Sequence, residues 1–129
     1  MGVRNTIGKY LSNHAETKED HWDESLNTHY YKTSKDKGLR ALEDIIKNSP
    51  SYELNAVSAE HGEISMYVKK GKKAFVVATV IMVRPYQTAI DFSVTTESAL
   101  PFDLGYSSKL IKTLYNELNK HLQLITDKK

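Results

Sequence analysis

The sequence has 129 residues, with 18 basic and 16 acidic side chains that leave a formal net charge of +2. It contains no cysteine, which excludes disulfides, thiolate catalysis and cysteine-based zinc sites. This near balance of charge gives no general reason to expect nucleic acid or an anionic membrane as a partner. The length predicts one domain with its own core, and we expect a cytoplasmic location because no apolar leader is visible.

Residues 1–26 are predominantly polar, and we predict that they form a separate N-terminal segment. Apolar residues recur at helical spacing between Val3 and Leu11, which predicts a short amphipathic helix. Residues 14–24 carry many charges and no period, so we interpret them as a loop or as a mobile segment anchored by Trp22. The histidines and aspartates of this stretch do not have the spacing of a helical pair of metal ligands. The sequence therefore predicts no metal site and no cofactor.

A single α+β domain is predicted for residues 27–126, followed by a frayed end at residues 127–129. The domain opens with a short strand at residues 27–32, where aromatic and β-branched side chains cluster. Ser34 has the position of a helix N-cap, and an apolar stripe at spacings of three and four predicts the helix that follows. Gly38 lies inside this helix, and we expect it to allow close packing on the sheet.

Four consecutive strands are predicted between residues 52 and 97, joined by short turns. Apolar and polar residues alternate on both sides of His61-Gly62, where the glycine favours a tight hairpin. A slip of this alternation near Asn55 predicts a β-bulge. The run at residues 74–83 is almost entirely apolar, which indicates a central strand that is covered at least in part on both faces.

A long amphipathic helix is predicted to begin at Asp103, with Asp103 as its N-cap. Its apolar residues repeat at helical spacing as far as Ile125. About 20 residues of helix span roughly 30 Å, which is enough to cross a sheet. The order strand, helix, four strands, helix predicts a two-layer α+β fold, with two helices packed on one face of a mostly antiparallel sheet of about five strands.

Four motifs link this chain to a known family. They are Tyr-Tyr-Lys-Thr-Ser at residues 30–34, His61-Gly62-Glu63-Ile64, Ile90-Asp91-Phe92-Ser93-Val94 and Asp103-Leu104-Gly105. Through them, residues 28–121 resemble the bacterial family described as domain of unknown function 1499. The resemblance implies a small α+β domain with no established activity. This chain has Ser107 and Lys109 where that family carries asparagine and arginine.

The start of the last helix is a candidate ligand-binding site, formed by Asp103, Gly105, Ser107 and Lys109. Free amides at a helix N-terminus favour an anion, and the Asp-Leu-Gly motif is the most specific part of the resemblance. An N-cap followed by a glycine that allows close approach explains Asp103 and Gly105 without a ligand.

The turn at residues 69–73, with the sequence KKGKK, carries the densest positive charge of the chain. Lysines can contact phosphates, but nucleic-acid-binding surfaces usually add stacking aromatic rings. Of the two nearby rings, Tyr67 and Phe75, we assign Phe75 to the core. We therefore interpret the turn as a solvated tip and do not expect a nucleic acid partner. The apolar run that follows is shorter than the roughly 20 residues of a membrane span, so we expect no membrane partner.

The chain contains eight tyrosines, which favours a contact surface. Tyr67 and Tyr86 are our candidates for that surface, with either a second copy of the chain or another protein as the partner. Partial exposure is also expected for Tyr30, Tyr31, Tyr106 and Tyr115.

No catalytic residue is assigned, because no nucleophile can be placed beside a base from the sequence. The sequence therefore favours a non-catalytic binding or protein-interaction domain. The alternative is a binder of small apolar ligands in a helix-grip-like fold. An enzyme of unknown reaction is the third hypothesis.

Overall fold

The structure, a computed structural model, describes residues 14–19, 21, 23–96 and 103–126, and gives only the backbone of His14, Asp103 and Leu104. The predicted helix near Val3, the N-terminal residues around it, Trp22 and the chain end at 127–129 lie outside these ranges. The strands are β1 (His14–Glu16), β2 (His29–Tyr31), β3 (Tyr52–Ser58), β4 (Glu63–Val68), β5 (Ala74–Arg84) and β6 (Gln87–Thr96), and the helices are α1 (Lys35–Lys47), α2 (Asp103–His121) and a 3-10 turn at Glu24–Leu26.

The strands form one six-stranded sheet in the order β1-β6-β5-β4-β3, and β2 also pairs with β6. All of these pairs are antiparallel. β1 and β2 share the edge of β6 that faces away from β5: residues 14–16 pair with residues 93–95, and residues 29–31 pair with residues 88–90. The α+β class is therefore confirmed, with β1 as a strand beyond the predicted five.

β1 corrects the interpretation of residues 14–24 as a loop. It has only 3 residues, too few to show a period in the sequence. Its partner strand stabilises it instead: the backbone N–H of Thr17 donates to the carbonyl of Phe92 at 2.9 Å, and the N–H of Phe92 donates to Thr17 Oγ1 at 2.9 Å.

Both helices pack on the same face of the sheet. α1 contacts β3, β4 and β5, whereas α2 contacts β1 and β6. Even-numbered residues of the central strands point toward the helices, as strand alternation requires. Together with the predicted stripe of α1 they form the core, which includes Leu39, Leu42, Ile45, Ile46, Ile64, Met66, Val76, Val80, Ile90, Phe92 and Val94.

α1 begins and packs as the sequence predicts. Ser34 Oγ accepts a hydrogen bond from the N–H of Lys37 at 3.3 Å, and Asn48 is the C-cap. A Cβ on Gly38 would lie 3.1 Å from Val80 Cγ1, so the glycine allows the helix to approach β5 closely. The predicted bulge is also confirmed, since the register of β3 shifts between Leu54 and Ala56.

α2 ends earlier than its apolar pattern indicates. The helix stops at His121, and the chain then runs back along β2. The N–H of Lys32 donates to the carbonyl of Gln123 at 2.9 Å, and the N–H of Ile125 donates to the carbonyl of Tyr30 at 2.8 Å. The prediction that Ile125 belongs to the helix is therefore wrong, because β2 offers its backbone groups a better partner. None of the helices in the described ranges is long and apolar enough to cross a membrane.

Candidate functional site

The β5–β6 hairpin projects beyond the rest of the sheet. β4 pairs only with residues 74–79 of β5, whereas β6 pairs with β5 as far as Arg84. We call residues 81–86, beyond the reach of β4, the hairpin end. Its large side chains are exposed: Ile81 52%, Met82 46%, Val83 49% and Tyr86 64%. The expectation that this apolar run is covered at least in part on both faces fails here, because Ile81 and Val83 on one face and Met82 on the other are all exposed.

The turn of the hairpin end fixes Tyr86 in a strained conformation. Pro85 precedes Tyr86, whose φ of 58° is the positive value that the third residue of a type II turn requires. A residue with a Cβ adopts this region at a cost of about 1–2 kcal/mol. The register also shifts between Met82 and Arg84, which places a bulge just before the turn. The hairpin end therefore projects from the sheet with a backbone conformation that the bulge and the tight turn define.

A notch of ≈ 370 Å³ lies beside the hairpin end, lined by Lys35, His61, Val80, Ile81 and Met82. The N–H of Val80 donates to the carbonyl of Gly62 at 2.7 Å, and this is where the pairing toward β4 ends. Alternate residues of a strand direct their N–H and C=O groups to the same edge, so Met82 directs its own into the notch. Among the described residues, the lining contains a lysine and no carboxylate.

Tyr67 is 46% exposed, as expected, but it lies at the opposite end of the sheet from Tyr86. Its ring centroid is 5.2 Å from that of Phe75, with 51° between the ring planes. Phe75 pairs with Tyr67 and Thr95 on the face that the described helices do not cover, and it is only half-buried, so its assignment to the core is wrong. The inward positions of β5 are taken by Ala74 and Val76.

The residues of the predicted ligand site do not share one surface. Gly105 and Lys109 are exposed on α2, whereas Ser107 is completely buried. Ser107 Oγ has no hydrogen-bond partner in the described part of the chain. α2 begins at Asp103 itself, whose side chain lies outside the description, so its capping role and the ligand site stay predictions.

Tyr31 and Tyr115 are buried, contrary to the expected partial exposure. The Tyr31 hydroxyl donates to Asn119 Oδ1 and the Tyr115 hydroxyl donates to the carbonyl of Ile90, each at 2.7 Å. The ring of His29 stacks on Tyr115 with the centroids 3.5 Å apart. Burial raises the pKa of both tyrosines well above the ordinary value, so both stay protonated and act as structural hydrogen-bond donors.

Tyr30 and Tyr106 are partly exposed, as expected. A hydrogen bond to Glu19 is the main cause that raises the pKa of Tyr30 to about 12. The Tyr106 hydroxyl donates to the carbonyl of Lys72 at 2.9 Å and so ties the lysine-rich turn to α2. Neither hydroxyl is poised to transfer a proton near neutral pH.

Asp91 lies in the gap between β1 and β2. Its Oδ1 accepts hydrogen bonds from Thr17 Oγ1 and Thr28 Oγ1, both at 2.6 Å. Because both hydroxyl protons are directed at the carboxylate, this cluster joins two chain segments and presents no activated nucleophile. Within the described ranges there is no group of three or more side chains able to hold a metal ion.

Side chains of the described core pack between the helices and the sheet. A cavity of ≈ 10 Å³ remains there, lined by residues that include Leu42, Phe92 and Leu114. This is about the volume of a single water probe, far below that of a ligand pocket. This cavity therefore gives no support to the binder of small apolar ligands in a helix-grip-like fold, which stays a prediction.

Comparisons with protein-family models, with curated proteins and with solved structures found no match to this chain. The resemblance to domain of unknown function 1499 thus stays a prediction.

Proposed function

We propose that this protein is a non-catalytic protein-interaction domain of the cytoplasm that binds its partner through the hairpin end. A single observation carries the proposal: Ile81, Met82, Val83 and Tyr86 are exposed together at the projecting end of β5 and β6. Exposed large apolar side chains in one patch are typical of contact surfaces. Tyrosine and methionine are also enriched in protein interfaces.

The contrast with the other sheet edge supports this proposal. β3 is interrupted by a bulge, and its outward side chains include Glu53 and Asn55. Bulges and charges of this kind prevent an edge strand from pairing with another chain. The open edge at Met82 has apolar neighbours instead, so it is suited to accept an added strand.

The residues that line the notch favour a partner that binds through an extended peptide segment with an acidic residue. Lys35 lines the notch, and none of the described residues that line it with Lys35 is acidic, so a partner carboxylate gains a favourable charge contact there. A second copy of this chain would bring the same edge, with Lys35 as the charged residue among the described ones that line the notch. That like-charge approach disfavours self-association, and we therefore propose a different protein as the partner.

The test is a selection of random displayed peptides on the immobilised protein, followed by fluorescence anisotropy with each selected peptide. We expect selected peptides to alternate apolar residues and to carry an acidic one. Ile81→Ser should weaken their binding about tenfold, as the loss of a buried contact residue does. Val57→Ser is the matched control, because Val57 is 41% exposed on β3, away from the hairpin end.

A Met82→Pro variant separates strand addition from simple apolar contact. Proline removes the N–H that Met82 directs toward the notch, so strand addition predicts loss of binding in a protein that still melts cooperatively. Peptides that bind both Ile81→Ser and Met82→Pro as tightly as the wild type would overturn the proposal. A concentration-dependent dimer that Ile81→Ser dissociates would keep the surface and replace the proposed partner with a second copy.

A further inference from the structure

A second cleft lies at the other end of β5, where the lysine-rich turn joins β4 to β5. Its volume is ≈ 480 Å³, and its lining includes Tyr67, Lys69, Lys73, Phe75 and Thr95. We call these five residues the aromatic–lysine cleft. It is separated from the hairpin end by the length of β5, so its role is independent of the proposed interaction surface.

The floor of this cleft is a pair of aromatic rings on the face of the sheet without described helices. Tyr67 and Phe75 are cross-strand partners, and the rings are tilted by 51° with their centroids 5.2 Å apart. Tyr67 is 46% exposed and Phe75 is half-buried. Rings held on a sheet in this way can stack on a planar aromatic ligand, a contact that depends little on which base is bound.

The wall of the cleft is cationic. Lys69 and Lys73 are both exposed, and none of the described residues that line the cleft has a carboxylate. Neither lysine forms a salt bridge with a described residue. Among the described residues, the acid across the strands is Glu53, opposite Tyr67. Within the described part of the chain, positive charge therefore exceeds negative charge beside the two rings.

The lysines stand on an anchored turn. The N–H of Lys69 donates to the carbonyl of Ser51 at 2.7 Å, and the carbonyl of Lys72 accepts from the Tyr106 hydroxyl at 2.9 Å. Lys72 Nζ also lies 6.0 Å from the centroid of the Tyr106 ring. Because the backbone is fixed at both positions, a ligand pays little ordering entropy when it binds there.

We infer that the aromatic–lysine cleft binds a nucleotide, with the base stacked on Tyr67 and Phe75 and the phosphate between Lys69 and Lys73. The chemistry required is a planar aromatic group joined to an anion, which a free nucleotide or one residue of a single-stranded nucleic acid supplies. The small net charge of the chain does not oppose this inference, because the lysines are concentrated in one turn. Duplexes are not suited, because their bases are stacked inside.

The test uses fluorescence anisotropy of a labelled 12-nucleotide oligothymidine at low salt, with competition by thymidine monophosphate and by a duplex. Tyr67→Ser should weaken binding of the oligonucleotide about tenfold, whereas Tyr67→Phe, which keeps the ring, should retain it. Tyr86→Ser is the matched control, an exposed tyrosine at the opposite end of the sheet. It should bind like the wild type.

The charge contribution is tested by a double variant, Lys69→Gln with Lys73→Gln. One phosphate held between the two lysines predicts that log Kd rises with log salt with a slope of about 0.7, and the double variant should lose this dependence. Lys32→Gln with Lys37→Gln is the matched control, since both lysines are exposed elsewhere.

The competition distinguishes the two sources of the nucleotide. Displacement by equal concentrations of monophosphate identifies a free nucleotide as the ligand. Displacement only by unlabelled single strand identifies a single-stranded nucleic acid. The inference is overturned if the oligonucleotide and the monophosphate both fail to bind at millimolar concentration. It is equally overturned if Tyr67→Ser and the lysine double variant both bind like the wild type.

Discussion

Gly62 and Gly71 both occupy the left-handed region, with φ of 67° and 72°, yet only Gly62 is enclosed. A Cβ on Gly62 would lie 2.3 Å from the carbonyl oxygen of Val80, whereas a Cβ on Gly71 would meet no atom of the described residues within 4 Å. The sequence marks both positions as turns. The steric demand on Gly62 arises because β5 passes beside the turn.

Gly62→Ala is therefore expected to lower the free energy of unfolding by about 3 kcal/mol or more, since it combines backbone strain with a clash against backbone. Gly71→Ala should cost only about 1 kcal/mol, the strain of the positive φ alone. Urea unfolding of both variants measures the difference. Equal losses would show that β5 does not lie against the turn as described.

At the scale of the element, α2 shows how a helix that is amphipathic in sequence can still bury a polar group. Ser107 lies on the face that also carries Ile111 and Leu114, all of them buried. Its hydroxyl is the buried side-chain oxygen that lacks a partner among the described residues. Such a group loses its hydration on folding and gains no hydrogen bond in return.

Replacing this hydroxyl should make the protein more stable. Ser107→Ala removes an unsatisfied polar atom and raises helix propensity, so we expect a gain of about 1 kcal/mol in thermal or urea unfolding. Ser108→Ala, at the half-buried neighbour, controls for propensity and should gain less than about 0.5 kcal/mol. A loss of stability in Ser107→Ala would contradict this prediction and would indicate a hydrogen-bond partner for the hydroxyl outside the described residues.

At the scale of the whole molecule, one carboxylate ties the N-terminal strands to the sheet. Asp91 accepts hydrogen bonds from Thr17 and Thr28, which are 74 and 63 residues away in sequence. β1 and β2 are short, and they pair with β6 on opposite sides of Asp91: β1 with residues 93–95 and β2 with residues 88–90. The edge of the sheet thus depends on a contact that closes two long loops.

Asp91→Ala should lower the free energy of unfolding by about 2 kcal/mol, because two donors lose a charged acceptor. Hydrogen exchange should accelerate at the Thr17 amide and not at the amides of β4. Ser93→Ala is the control, as it lies on the same strand and face and should change little. Unchanged protection of Thr17 in Asp91→Ala would mean that β1 is held by its backbone pairing alone.

The candidate site was predictable only in part. Exposure of Tyr67 and Tyr86 followed from their places at strand and turn positions. The exposure of residues 81–83 could not be predicted, because the sequence of an apolar strand does not show whether other elements cover its faces. The signal that was available is length: β5 has 11 residues beside the 6 of β4, so one end of β5 must project.

What the sequence by itself determined are the features that neighbouring residues encode: the cap at Ser34, the stripe of α1, the turn at Gly62 and the bulge after Leu54. Each depends on side chains within a few positions, so local physics suffices. Only the tertiary structure decided which way Phe75 faces, that β1 exists and that the chain leaves α2 to run along β2. These depend on partners far away in sequence, since strand pairing supplies hydrogen bonds that no local pattern records.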